Sequence, residues 1–225
     1  MTAGAARTPP REAVPHGEAR QAGPRPGVRL VGLHAASRRV PAALGLVAAC
    51  AVGLRIALHW HWDTYGALQL PLVFEAGCAA VIAVTTASPF GGPERATGRW
   101  LPFLRLGAAL VLTAAAAGAL AGAGAGAHLA GGTLDMLRNL AGLTGIGLLC
   151  AVVLGGALAW TGPLAYLMVA VYALYTDWHG PALTSPWIWP ARPPDDRGAA
   201  ICAALVFTAG VALIAVRGAR DSVRD

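Results

Sequence analysis

From Pro41 to Val216 the chain is one apolar stretch after another, each long enough to cross a bilayer. The interval Asn139–Thr176 runs for thirty-eight residues without an Asp, Glu or Arg. As one helix it would measure about 57 Å at 1.5 Å per residue, nearly twice the ~30 Å hydrocarbon core, so it must turn back on itself. The pattern predicts an all-α, polytopic membrane protein with six spans at 41–60, 67–87, 106–128, 141–159, 163–176 and 199–216. The break in the long run is predicted at Trp160–Pro163: Pro163 suits the first turn of a new helix and Gly162 a tight reversal. Between the fifth and sixth spans, Asp177–Gly198 carries Pro181, Pro186, Pro190, Pro193 and Pro194 among Trp178, Trp187 and Trp189. So many prolines exclude one regular helix, and the tryptophans favour a re-entrant or interfacial outer segment.

Composition agrees. Apolar residues make up 56% of the chain and charged ones only 12%, against about a quarter in globular domains; the mean hydropathy is +0.57. All 17 basic residues are arginine, which together with abundant Ala, Gly and Pro points to a high-GC bacterial genome. The arginines cluster at the ends of apolar runs, which is how topology signals rather than nucleic-acid surfaces are placed. Near the spans, Arg29, Arg38, Arg39, Arg95, Arg99, Arg105, Arg217, Arg220 and Arg224 fall on one side, and Arg138, Arg192 and Arg197 on the other. That bias predicts both termini in the cytoplasm of a multi-pass bacterial plasma-membrane protein. Residues 1–36, rich in Pro, Ala, Gly and Arg with no signal-peptide core, are expected to form a disordered cytoplasmic tail. The six-span domain would cover 37–220, leaving 221–225 as a second cytoplasmic tail. Cys50, Cys78, Cys150 and Cys202 lie in apolar stretches without CxxC spacing and read as small hydrophobes.

Two charges fall within spans, Arg55 in the first and Glu75 in the second. Counted from the outer ends both sit about 10–14 Å deep, and an unpaired charge there costs several kcal/mol, so a mutual ion pair is expected. Such a pair would lock two helices or form a substrate or proton site. Gly118, Gly122 and Gly126 make a small-xxx-small ladder for close helix packing in the third span. The string His59–Asp63 looks like a metal cluster, but residues two apart on a helix point about 200° apart, so no metal site is expected. HExxH, GxSxG and Walker A motifs are absent; no catalytic residue and no enzymatic activity is expected in this chain. The loop Ser88–Arg105, SPFGGPERATGRWLPFLR, starts sharply at Pro89–Pro93 and then turns amphipathic.

On these residues the chain resembles the small permease subunits of ABC type-2 exporters, in the form common in high-GC actinobacteria. The resemblance rests on the Ser88–Arg105 loop, where that family has its coupling helix; on Arg138–Trp160 followed by Pro163–Tyr166; and on the Pro/Trp-rich outer segment, where the family has re-entrant helices. It implies a half-transporter pairing with a second six-span unit, as homo- or heterodimer, in the lipid bilayer. Phe90, Gly91, Glu94, Arg95, Trp100 and Leu101 would contact a separate cytoplasmic ABC ATPase, and ATP and Mg would be bound by that partner, with no cofactor in this chain. The rival expectations are an accessory or anchoring membrane protein without transport, and a proton-coupled carrier.

Overall fold

Backbone amides have no water to bond inside a bilayer, so an apolar chain must close its hydrogen bonds within each segment, as helices do. The computed structural model describes residues 40–60, 64–86, 101–127, 129, 131–175 and 186–219. Most of these residues are helical, with no strand among them, and six helical segments are long and apolar enough to cross a membrane. The helices are α1 (Val40–Ala57), α2 (Thr64–Thr85), α3 (Leu101–Gly124), α4 (Gly132–Val153), α5 (Thr161–Tyr175) and α6 (Arg197–Arg217). α5 reaches spanning length only with the 3-10 turn Gly156–Leu158 before it. The tails 1–36 and 221–225 lie outside the described residues.

α4 is the central helix. Some 61% of its span is buried, against 17% for α1, and it packs on α6, α2, α5 and α3, while α1 leans on α2 and α3. Lipid is as apolar as leucine, so close approach rather than hydrophobicity holds such helices together. At the α4–α6 crossing two glycines remove the side chains altogether. A Cβ on Gly145 would stand 2.6 Å from the backbone N and Cα of Phe207, and one on Gly210 would stand 2.6 Å from the Gly145 carbonyl oxygen. Around this seam lie separate apolar clusters. Leu54, Ile82, Leu112 and Leu140 join α1–α4, Leu72, Leu143 and Leu167 join α2, α4 and α5, and Leu148, Val211 and Ile214 lie towards the far end of α6.

Three expectations are corrected here. The third and fourth helices start earlier than hydropathy predicted, at Leu101 and Gly132 instead of 106 and 141; for the fourth the reason is that Asp135, Arg138 and Asn139 in its first two turns find partners within the protein. The reversal in the long uncharged run falls at Gly155, whose φ of +91° suits glycine, not at Gly162. Gly162 lies inside α5, against Cys150 and Ile146 of α4, whereas Pro163 does sit in the first turn of α5. The glycine ladder does not pack within this chain: nothing lies within 4 Å of where a Cβ of Gly118, Gly122 or Gly126 would be, and Gly126 is beyond the end of α3.

Candidate functional site: a polar crevice at one end of the bundle

Asp135, Arg138 and Asn139 occupy positions i, i+3 and i+4 of α4, so they share one face of its first two turns. The Arg138 guanidinium is buried and engaged through its two terminal nitrogens, while Nε has no hydrogen-bond partner among the described residues. It pairs with the Asp135 carboxylate and donates to the carbonyl oxygens of Trp189 (2.6 Å), Pro193 (2.8 Å) and Arg192 (3.1 Å). One arginine thereby stitches the start of α4 to residues 189–193, which reach the bundle as a short 3-10 turn, Trp189–Ala191. Trp189 is buried in a notch left by Gly142, where a Cβ would fall 2.5 Å from its Cε2, and its ring stacks on Tyr166 of α5 at 4.6 Å between centroids. Tyr166 in turn donates its hydroxyl to the Trp187 carbonyl at 2.7 Å.

The same segment hands over to α6 through Asp196. Its Oδ1 accepts from the backbone amides of Gly198 (2.8 Å) and Ala199 (3.2 Å), an N-cap, while Oδ2 accepts from Arg192 Nε at 2.6 Å. The Arg192 hydrogen bond first, and then the capping amides, hold this carboxyl below the usual carboxylate range. A depressed native pKa contributes stability above the unfolded value, about 3.9 for aspartate, and that stability is lost as pH falls through the native value. Melting temperature measured from pH 7 down to pH 3 should therefore fall more steeply in the wild type than in Asp196→Asn, which keeps a capping oxygen but not the charge. Equal slopes would show that the cap carries no pH dependence.

Beside Asp135 and Asn139 a crevice opens between α2 and α4, with about 10 Å3 of room for water. Its walls include Pro71 and Glu75 of α2, Gly132, Asp135 and Asn139 of α4, and Leu129. Glu75 is 1% exposed, and neither carboxylate oxygen has a hydrogen-bond partner among the described residues. Asn139 donates Nδ2 to Asp135 Oδ2 at 3.3 Å, leaving its own Oδ1 unpartnered there. Pro71 has no N–H, so the Ala67 carbonyl on the same wall loses its ordinary helical donor.

The expected Arg55–Glu75 pair is not formed. α1 ends at Ala57, which puts Arg55 in its last turn, where it is exposed and donates to the carbonyls of Ala123 (3.3 Å) and Ala125 (3.0 Å) at the end of α3. A cation among the last carbonyls of a helix is a favourable C-terminal partner. Glu75 lies eleven residues inside α2, about 16 Å along the helix, and its polar neighbours are Asp135, Asn139 and Arg138 instead. Of the coupling-loop residues, Phe90, Gly91, Glu94, Arg95 and Trp100 lie outside the described residues, and Leu101 begins α3. Among the described residues no three His, Cys, Asp or Glu side chains come together as a metal site. No protein-family model, curated protein or solved structure matches this chain. What stands is a multi-pass membrane bundle with a polar crevice among its described residues.

Proposed function

We propose that this chain is the membrane-embedded permease subunit of an ABC type-2 exporter in a bacterial plasma membrane, working with a second six-span unit. The observation that supports this most lies between α5 and α6, where residues 186–196 pack on the bundle, with Trp189 buried and Arg138 holding three of their carbonyls. That is the part of the chain where the resembled family has re-entrant outer helices. The six-helix bundle and the Pro/Gly-started loop at 88–105 are consistent with the same reading. In this reading both termini and that loop face the cytoplasm, ATP and Mg belong to the partner, and this chain supplies the path and the lever. Glu94, near the start of a short coupling helix, would suit its positive N-terminal dipole and a basic residue of the ATPase.

The test is purification of the tagged full chain from its native host in mild detergent, with and without nucleotide. A co-purifying ATPase that is lost in Glu94→Arg and Trp100→Ala, with folded yield unchanged, is the expected result. A wild-type chain recovered without any ATPase under every nucleotide condition would overturn the proposal and leave an accessory membrane protein as the better description.

A further inference from the structure

The polar crevice carries an inference that stands whether or not an ATPase partner is found. Arg138 is charge-paired with Asp135 and its terminal nitrogens bond three carbonyls, so that pair is neutral, and Glu75 is left over. A carboxylate buried to 1% exposure with no hydrogen-bond partner cannot stay charged and unaccompanied in a low-dielectric bundle. It needs one unit of positive charge, and among the described residues no neighbouring side chain supplies it. From α4 it faces Asp135, Asn139 and the already committed Arg138. α1 brings Cys50 to Cys78, one turn along α2 from Glu75, while Arg55 is bonded to α3. α5 has no charged residue, and the Arg105 of α3 lies at the other end of the bundle, where its Cζ would stand 2.6 Å from a Cβ on Gly218.

The geometry suits an intermediary rather than a direct contact. The two Glu75 oxygens and Asn139 Oδ1 complete no hydrogen bond among the described residues, although Asn139 is a close neighbour of the Glu75 carboxyl, and Glu75, Asn139 and Asp135 line one crevice with room for about a single water. The available donors are hard oxygens, those of two carboxylates and an amide, next to an Ala67 carbonyl that lacks its helical donor. Hard oxygens select small hard cations over soft metals. Two carboxylates beside one arginine leave a single net negative charge, which one monovalent ion balances and a divalent ion would overshoot.

We propose that the Glu75–Asn139 crevice is an exchangeable site for one small monovalent cation, a sodium ion or a proton held with a water, loaded from the end of the bundle where α4 begins. Exposed Gly132 forms its rim. Filling and emptying it would change the attraction between α2 and α4, the helices that meet over Asp135 and Asn139.

Two measurements on the purified full chain separate the two ions. In the first, melting temperature is followed from pH 5 to pH 9 in sodium chloride and in N-methyl-D-glucamine chloride at equal ionic strength. If sodium is the occupant, it should raise the melting temperature by about 3 °C or more at pH 8, with the shift shrinking towards pH 5 as protons compete. Glu75→Gln should abolish the shift, and Asn139→Ala should reduce it. In the second, infrared difference spectra of wild type carrying carboxyl-labelled glutamate follow the band of a buried protonated acid, which needs no folded variant. If the proton is the occupant, sodium has no effect but that band titrates between pH 5 and pH 9. A wild type indifferent to sodium whose glutamate band does not change with pH overturns the proposal. So does a sodium shift that survives intact in Glu75→Gln.

Discussion

Adding a single methyl group at Gly145 or Gly210 is expected to push α4 and α6 apart and destabilise the bundle more than the same change at any glycine of α3. The new Cβ of either residue would lie 2.6 Å from backbone atoms of the facing helix. Backbone cannot swing away as a side-chain tip can, so the two helices must separate along their whole crossing. Overpacking of this kind costs about 1–3 kcal/mol, and leucine in place of alanine should abolish folded protein. Gly118→Ala and Gly122→Ala are the internal controls. They meet open space and should be neutral or gain up to about 1 kcal/mol from the better helix propensity of alanine. Thermal or detergent-induced unfolding of the purified chain reads all four. If Gly118→Ala proves more damaging than Gly145→Ala, the assigned order of helix contacts is wrong.

Arg138→Gln should be the most damaging change of a polar residue. It strands the Asp135 carboxylate inside the bundle, takes from the Arg192 carbonyl its side-chain donor and leaves those of Trp189 and Pro193 with only their backbone turn donors. Removing one member of a buried ion pair costs about 3–5 kcal/mol. Lysine should restore little, because one ammonium cannot span the four acceptors that a planar guanidinium reaches. The double change Asp135→Asn with Arg138→Gln should be milder than the sum of the singles, since no charge is then left unpaired. Melting temperature measures the cost, and protease nicking between residues 186 and 196 tells whether that segment has come loose. Additive losses with the segment still protected would refute the role assigned to Arg138.

Helices that begin and end at charges were legible in the sequence. α1 and α6 fall within a few residues of the apolar runs that announced them, since nothing but lipid and neighbouring apolar groups decides where they stop. α4 was not, for a physical reason. Hydropathy charges Asp135 and Arg138 their full solvation cost, but paired at i, i+3 and bonded to carbonyls more than fifty residues away they no longer carry it. The spacing DxxRN at the head of an apolar run was the available signal of a polar helical face. Depth counting failed for Arg55 and Glu75 because it assumed the first helix continued to residue 60, and three fewer residues lifted Arg55 to the rim. The glycine pattern misled because a regular xxx spacing shows only that approach is possible. Which glycines are used depends on which helices meet, and that is a property of the whole bundle. The Pro/Trp segment's departure from regular helix could be read directly, whereas its anchoring on Gly142 and Arg138 could not.

The long reach of Arg138 also sets an order of assembly. A ribosome delivers α4 to the membrane some fifty residues before it delivers residues 189–193, so the central helix must enter with its guanidinium short of three acceptors. α6, which lies against the glycine face of α4, arrives later still. Until the last quarter of the chain has been made, the helix on which α2, α3, α5 and α6 pack is the least finished one. A nascent chain stopped before Pro186 therefore has no means of completing its centre, and the cell would meet it as a substrate for membrane proteolysis rather than as a smaller version of the bundle.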